Sequence, residues 1–149
     1  MRTLMGIAAA TLSIGFAGVG PAAPAQAAST YTCSEWKPLS SLSPNIPGAW
    51  VQTCLEKDGA WRRADVFVQN NSAGAVYVSG MYANVPSLGG EKTCTMNSWV
   101  AVGAQLSCSS AWVSDAWPAT KDSGYGRVDY WDPVAGLYRF TVVMSPESF

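Results

Sequence analysis

Short alternating segments separated by turn residues are the strongest constraint on the fold of this chain. Residues 49–56 (AWVQTCLE) and 60–69 (AWRRADVFVQ) alternate apolar and polar side chains and flank the dipeptide Asp58-Gly59, which is typical of hairpins. Similar segments recur at spacings of roughly 8 to 12 residues, and no stretch keeps a helical apolar period. The pattern predicts an all-β protein, a single antiparallel β-sandwich of about seven to eight strands.

The remaining predicted strands lie in three further segments. Residues 64–80 (ADVFVQNNSAGAVYVSG) predict a hairpin whose turn lies at 70–74. The segments 125–131 and 136–144 predict another hairpin, because Pro-Val-Ala-Gly lies between them. Residues 98–108 predict one half-buried strand, since alternate positions share an apolar face: Val100, Val102, Ala104, Leu106 and Cys108.

The first residues are typical of an export signal. Arg2 precedes a short apolar run, residues 4–20, and the triplet Ala25-Gln26-Ala27 fits a signal-peptidase site. The run is too short and too rich in alanine and glycine for a membrane anchor, which needs about 20 strongly apolar residues. We expect residues 1–27 to be a secretory signal peptide, and the cleaved protein to be extracellular without a membrane anchor.

The rest of the chain is long enough for one domain. Residues 28–47 are rich in serine and proline and predict an extended arm, and residues 48–149 predict the sandwich. Partner-binding residues in the arm are predicted because a disulfide at Cys33 would hold it near the sheet, where it could lie in a partner's groove. They are Trp36, Pro38, Leu39, Leu42, Pro44 and Ile46.

Four cysteines, Cys33, Cys54, Cys94 and Cys108, follow the predicted signal peptide. An even number in a small exported domain is expected to pair fully, and three pairings are open. We favour Cys33 with Cys54 and Cys94 with Cys108, because each pair closes a short local loop. No close C-x-x-C pair is present, so a metal site is not expected.

The chain contains no histidine, which removes most familiar hydrolytic mechanisms. Two carboxylate pairs could still act as in glycosidases: Asp129 with Asp132, or Glu56 with Asp58. Asp58 and Asp132 fall in predicted turns, where aspartate bonds the backbone, and Asp129 falls on the solvent side of its strand. We therefore predict no catalytic residues, no enzyme activity and no cofactor.

The charges argue against nucleic acid as a partner. Without Arg2, 8 basic and 10 acidic residues remain of the 9 and 10 in the whole chain, and most of them are scattered singly. Such a chain has no basic patch for a phosphate backbone. Another secreted protein or a polysaccharide is the better expectation.

Seven tryptophans and six tyrosines are the most unusual feature of the composition. Exposed rings stack on sugars or anchor protein interfaces, whereas the ordinary role of a large ring is to fill the core. By alternation, Trp99 and Trp131 project opposite the apolar faces of their strands. Trp99, Trp112, Trp117 and Trp131 are the predicted surface tryptophans.

The layout resembles that of the small secreted β-proteins of actinomycetes. The features shared are an alanine-rich export signal, one small sandwich, two local disulfides and the arm around YTCSEWKPLSSLSPNIPGAW. In size and layout the chain is similar to the adaptor subunit of Streptomyces umbrella toxin particles. That resemblance implies a non-catalytic protein that joins a lectin-bearing subunit to a large toxin subunit, with the arm engaging one partner.

Three functions remain open. A protein-binding adaptor is preferred, because a lone domain without a catalytic module is an unusual way to deploy a sugar-binding unit. A carbohydrate-binding module is the alternative, and it predicts three or more coplanar rings on one face. A protease inhibitor is the third, with Met96 presented by a rigid loop beside Cys94.

Overall fold

The structure is a computed structural model that describes residues 29–39, 46–115 and 121–148. The predicted signal peptide, Leu42, Pro44 and Trp117 lie outside the described residues.

The described residues form ten strands and no helix. Eight of these strands have four or more residues, which equals the upper number of strands predicted from the sequence. The other two have two residues each. Their bounds are β1 (Thr30–Cys33), β2 (Lys37–Pro38), β3 (Ala49–Asp58), β4 (Trp61–Asn70), β5 (Val76–Val85), β6 (Gly89–Val100), β7 (Gln105–Ser109), β8 (Val113–Ser114), β9 (Tyr125–Asp132) and β10 (Leu137–Met144).

Two antiparallel sheets pack face to face. The six-stranded sheet has the order β1-β3-β4-β7, with β2 also paired to β3 and β8 to β4. The four-stranded sheet has the order β10-β9-β5-β6. The predicted all-β sandwich is confirmed, and so are the hairpins β3–β4 and β9–β10.

The described residues of the predicted N-terminal arm include two strands at an edge of the six-stranded sheet. Strand β1 pairs with Cys54–Lys57 and β2 pairs with Trp50–Val51, both on β3. Leu39 is completely buried, and Ile46 is nearly so. The prediction that Leu39 contacts a partner is therefore wrong, because its side chain belongs to the core of its own chain. Ile46 also packs on the core but lines an apolar surface pocket, so its contact with a partner stays a prediction.

Two predicted strand connections are wrong in the same way. Strands β4 and β5 lie in different sheets, so residues 64–80 form a crossing between sheets and no hairpin. Residues 98–108 do not form one strand, because β6 ends at Val100, a turn follows with Gly103 at φ +79°, and β7 belongs to the other sheet. In both places the alternation of side chains continues across a change of sheet.

Asn70 links the crossing between β4 and β5 to the connection between β6 and β7, which also passes from one sheet to the other. Its side-chain amide donates to the carbonyl oxygens of Gly74 (2.9 Å) and Val100 (2.8 Å), and its Oδ1 accepts from the Ser72 amide (3.0 Å). Its backbone amide donates to Ala104 O (3.0 Å). Asn70 is completely buried, so its role is structural although Asn70-Asn71-Ser72 matches a glycosylation sequence.

The core between the sheets is built mainly from valines. Members from both sheets are fully or almost fully buried: Val51, Leu55, Val66, Val68, Val76, Val78, Met81, Val85, Val128, Tyr130 and Val143. The disulfide Cys94–Cys108 links β6 to β7 and so joins the two sheets. The disulfide Cys33–Cys54 joins directly opposed residues of β1 and β3. Both predicted pairings are confirmed.

A substitution at Gly126 tests how closely the sheets pack. Gly126 lies on β9, and an added Cβ would collide with Thr53 Oγ1 and come within 2.6 Å of Val66 Cγ2 on the facing sheet. Overpacking of this kind costs about 1–3 kcal/mol. We expect Gly126→Ala to lower the free energy of unfolding by that amount in urea titrations.

Gly74→Ala is the matched control, because a Cβ there would have no heavy atom within 4 Å. It should change the unfolding free energy by no more than about 0.5 kcal/mol. Equal stability of the two variants would show that the sheets do not approach each other as closely as described.

Candidate binding surface

The outer face of the four-stranded sheet carries large apolar side chains. On β10, Thr141 and Val143 point into the core. Alternate side chains of a strand point to opposite faces, so the other set is exposed to solvent: Tyr138, Phe140, Val142 and Met144. Tyr138 and Phe140 are each 59% exposed. This strand therefore presents its larger apolar residues outward.

Four aromatic side chains form a continuous row across this face, called the aromatic row below: Tyr138, Trp131, Tyr77 and Trp99. The strand register places Tyr138 beside Trp131 and Tyr77 beside Trp99. Ring centroids lie 5.1 Å apart for Trp131 and Tyr138, 6.3 Å for Tyr138 and Tyr77, and 5.3 Å for Tyr77 and Trp99. Trp99, at the end of the row, is 64% exposed.

The rings of the row are inclined to one another. The three neighbouring pairs have interplanar angles of 61°, 59° and 68°. Inclined pairs of this kind are favourable, because the positive edge of one ring meets the negative face of the next. Neighbouring rings therefore do not share a plane, as the rings of a flat sugar-binding platform would.

An apolar pocket of about 290 Å³ opens beside the row. One wall is the crossing between β4 and β5. The others are made by Ile46, Pro47, Trp99, Trp131 and Pro133. Small residues make the crossing wall, at positions 73–75 (Ala-Gly-Ala). This pocket can take one apolar side chain from a partner, the arrangement found at the centre of many protein interfaces.

Asp132 fixes the hairpin that carries Trp131 and Tyr138. Its Oδ1 accepts hydrogen bonds from the backbone amides of Val134 and Ala135, both at 3.0 Å, and its Oδ2 accepts from Arg139 Nε at 2.9 Å. The pKa of Asp132 lies below its usual value, mainly because the backbone amide of Ala135 donates a hydrogen bond to the carboxylate. The predicted turn role of Asp132 is confirmed.

The other candidate acids are also held in ion pairs or at a turn. Asp129 pairs with Arg127 at 2.8 Å on the outer face, and Glu56 pairs with Arg63 at 2.5 Å on the six-stranded sheet. Asp58 is exposed at the end of β3. Asp129 and Asp132 are three residues apart on one strand and so point to opposite faces, which prevents them from acting together on one substrate atom.

The predicted surface tryptophans do not form one site. Trp99 and Trp131 belong to the aromatic row, whereas Trp36 and Pro38 lie beside β3 in the six-stranded sheet. Trp112 is exposed in the segment before β8, and the guanidinium of Arg63 lies 4.7 Å from its ring centroid. Trp36, Pro38 and Trp112 therefore lie on the other sheet, away from the row.

The sequence analysis missed most of the apolar side chains of the outer face. Tyr77 and Tyr138 complete the row, and Phe140, Val142 and Met144 extend it along β10. The signal was present in β10, where both sets of alternate residues contain apolar side chains. When a strand is apolar on both faces, one face packs in the core and the other is exposed. An exposed apolar face is typical of an interaction site.

Met96 is not presented by a loop. It lies inside β6 and packs, half-buried, against the core. The expectation that Met96 enters a protease cleft is therefore wrong, because a strand residue packed on its own core cannot serve as the exposed tip of an inhibitory loop.

Comparison with known proteins adds no family. No protein family model matches the chain, and no curated protein is significantly similar to it. Among the described residues, no helix is long and apolar enough to cross a membrane. Within the same residues, no group of three or more cysteine, aspartate or glutamate side chains is placed to hold a metal ion.

Substitution of Asp132 tests whether its charge supports the β9–β10 hairpin. Because its pKa is lowered in the folded protein, its contribution to stability is present above the unfolded pKa, about 3.8, and is lost as the pH falls through the folded pKa. We expect Asp132→Asn to be less stable than wild type at neutral pH in urea unfolding. The difference should narrow as the pH falls below about 4.

Asp58→Asn is the control, since Asp58 is an exposed turn residue of the six-stranded sheet. It should unfold at nearly the wild-type urea concentration at neutral pH. A constant difference between Asp132→Asn and wild type at all pH values would contradict a role for the charge.

Proposed function

We propose that this protein is a secreted, non-catalytic binding module that docks another secreted protein on the outer face of its four-stranded sheet. The observation that carries the proposal is the continuous exposed apolar face made by the aromatic row and β10. Exposed apolar patches of this extent are uncommon on monomeric proteins and mark interaction surfaces. Binding of a partner removes this apolar surface from water, which stabilises the complex.

The chemistry of the face favours a protein over a flat polysaccharide. Aromatic side chains at its centre are the residues that contribute most to protein interfaces, and the apolar pocket beside Trp99 can take an anchoring side chain. A charged pair lies next to the apolar strand: Arg127, which pairs with Asp129, has its guanidinium carbon 4.5 Å from the Phe140 ring centroid. An apolar centre with a polar rim is typical of protein interfaces.

Secretion is part of the proposal. Two disulfides are consistent with an extracellular protein, because such bonds persist in oxidising compartments. The predicted signal peptide at 1–27 gives the route, and its removal can be tested by N-terminal sequencing of the exported protein.

The adaptor role in a toxin complex stays a prediction from resemblance. An adaptor needs two separate docking surfaces, and the aromatic row supplies one. The other must lie elsewhere, and the exposed Trp36 and Trp112, beside the six-stranded sheet, are the candidates. Trp36 belongs to the predicted arm, whose strands β1 and β2 pair with β3 and so hold it beside the sheet.

Capture from culture medium with matched variants tests the proposal. The tagged protein is exported by its native host and recovered with whatever proteins bind it. Trp99→Ala and Phe140→Ala should each weaken capture of the same partner by about 30-fold, the effect of losing one dominant interface residue of roughly 2 kcal/mol.

Trp61→Ala is the control, because Trp61 is 50% exposed but lies on the six-stranded sheet. It should retain the partner. If the same proteins copurify equally with wild type and Trp99→Ala, the outer face is not the docking surface. Retention on insoluble chitin or cellulose that Trp99→Ala abolishes would replace a protein partner with a polysaccharide.

A further inference from the structure

The second half of the outer face has a different chemistry from the aromatic row. A pocket of about 550 Å³ lies towards the other end of β5. The residues that carry its chemistry come from β5, β6 and β9 and are called the polar pocket below: Tyr82, Asn84, Thr93, Tyr125, Arg127 and Asp129. Its volume falls within the range of small-molecule sites, about 300–1,000 Å³.

Strand register brings these side chains together. Tyr82 pairs with Arg127 on one side and with Thr93 on the other, and Asn84 pairs with Tyr125. Gly80, which pairs with Asp129, separates this group from the aromatic row and contributes no side chain. The polar pocket and the aromatic row share no lining residue, but the docking face and the pocket meet along β10, where Phe140 contacts Arg127.

The rings of the polar pocket are fixed in place. The centroids of Tyr82 and Tyr125 lie 5.8 Å apart, with the ring planes at 80°. The Tyr82 hydroxyl donates a hydrogen bond to Glu91 Oε2 at 2.7 Å, and this bond raises the pKa of Tyr82. The two rings present apolar surface in a constant orientation.

The polar groups of the pocket are both donors and acceptors. Arg127 Nε and Nη2 each lie 2.8 Å from Asp129 Oδ1, which leaves other Arg127 N–H groups and the second carboxylate oxygen of Asp129 beside the rings. Asn84 Oδ1 is buried and accepts no hydrogen bond within the described part of the chain. A ligand hydroxyl that donated to it after a small side-chain rotation would satisfy it.

We propose that the polar pocket binds a neutral saccharide unit. The C–H face of a sugar ring is apolar and stacks on a tyrosine ring, while its neighbouring hydroxyls both donate and accept hydrogen bonds, which matches the Arg127–Asp129 pair. The charge of Arg127 is offset by Asp129, and Glu91 adds a negative charge nearby. Anionic sugars and phosphates are therefore disfavoured.

Calorimetric titration of the whole exported protein tests this site. The ligands are glucose, galactose, mannose, N-acetylglucosamine and their disaccharides, with glucuronate as the anionic comparison. At least one neutral sugar should bind with millimolar affinity or better, and more tightly than glucuronate. Tyr125→Ala and Asp129→Asn should each weaken that binding about tenfold or more, because each removes ring surface or a charged hydrogen-bond acceptor.

Three further variants keep the test decisive. Tyr125→Phe retains the ring and should bind nearly as well as wild type, which separates loss of stacking from loss of fold. Arg127→Gln should weaken binding even if Tyr125→Ala unfolds. Trp99→Ala should leave sugar binding unchanged, because Trp99 does not line the polar pocket.

Two results would overturn the inference. One is the absence of binding by every neutral sugar to the folded wild-type protein, or tighter binding of glucuronate. The other is sugar binding that survives the pocket variants and is lost in Trp99→Ala, which would place the site on the aromatic row. The first result leaves the docking of a protein on the row untouched, because docking is measured with a different partner. The second would also count against it, because a sugar would then occupy the row.

Discussion

The close packing of the two sheets is the constraint on which the remaining structure depends. At Gly126 the facing sheet leaves no space for even a methyl group, and half of the described core residues are valines. Small and medium-sized apolar side chains fill most of the rest, and Tyr130 is the one aromatic ring among the described core residues. Because side chains alternate along β10, inward Thr141 and Val143 require that Tyr138 and Phe140 face outward. The apolar outer face thus follows from which residues of β10 pack against the facing sheet.

Local patterns predicted β3, β4, β9 and β10 and both disulfides correctly, because alternation and short loop closure are properties of neighbouring residues. They did not identify which face of β10 is buried, since both faces contain apolar side chains. That choice depends on the width of the core, which Gly126, Thr53 and Val66 set from three different strands. For the same reason Trp99 could be predicted at the surface, opposite a clearly apolar set, whereas the outward position of Phe140 could not.

The crossings between sheets were predicted as a hairpin and as a single strand, because their turn residues are the same as those found in hairpins. Asn-Asn-Ser-Ala-Gly closes a hairpin as readily as it changes sheets, and the deciding contact is distant in sequence. Asn70 bonds to Val100 O and Ala104 O, so the two crossings fix one another. Leu39 is a similar case: its polar and proline-rich surroundings favour an exposed arm, but β3 offers it a strand partner and a place in the core.

The outer face is divided because the two ends of β5 meet different neighbours. At one end the β4–β5 crossing and the Asp132 turn surround Tyr77 and Trp99 with apolar walls, which suits a protein side chain. At the other end Tyr82 lies between Thr93 and the Arg127–Asp129 pair, and its polar neighbours suit a hydroxylated ligand. Gly80 leaves a gap between them, so the rings of the row do not contact those of the polar pocket. Under the two proposals one rigid sheet would hold two ligands of different chemistry, and the contact between Phe140 and Arg127 is where a substitution at one site would affect the other.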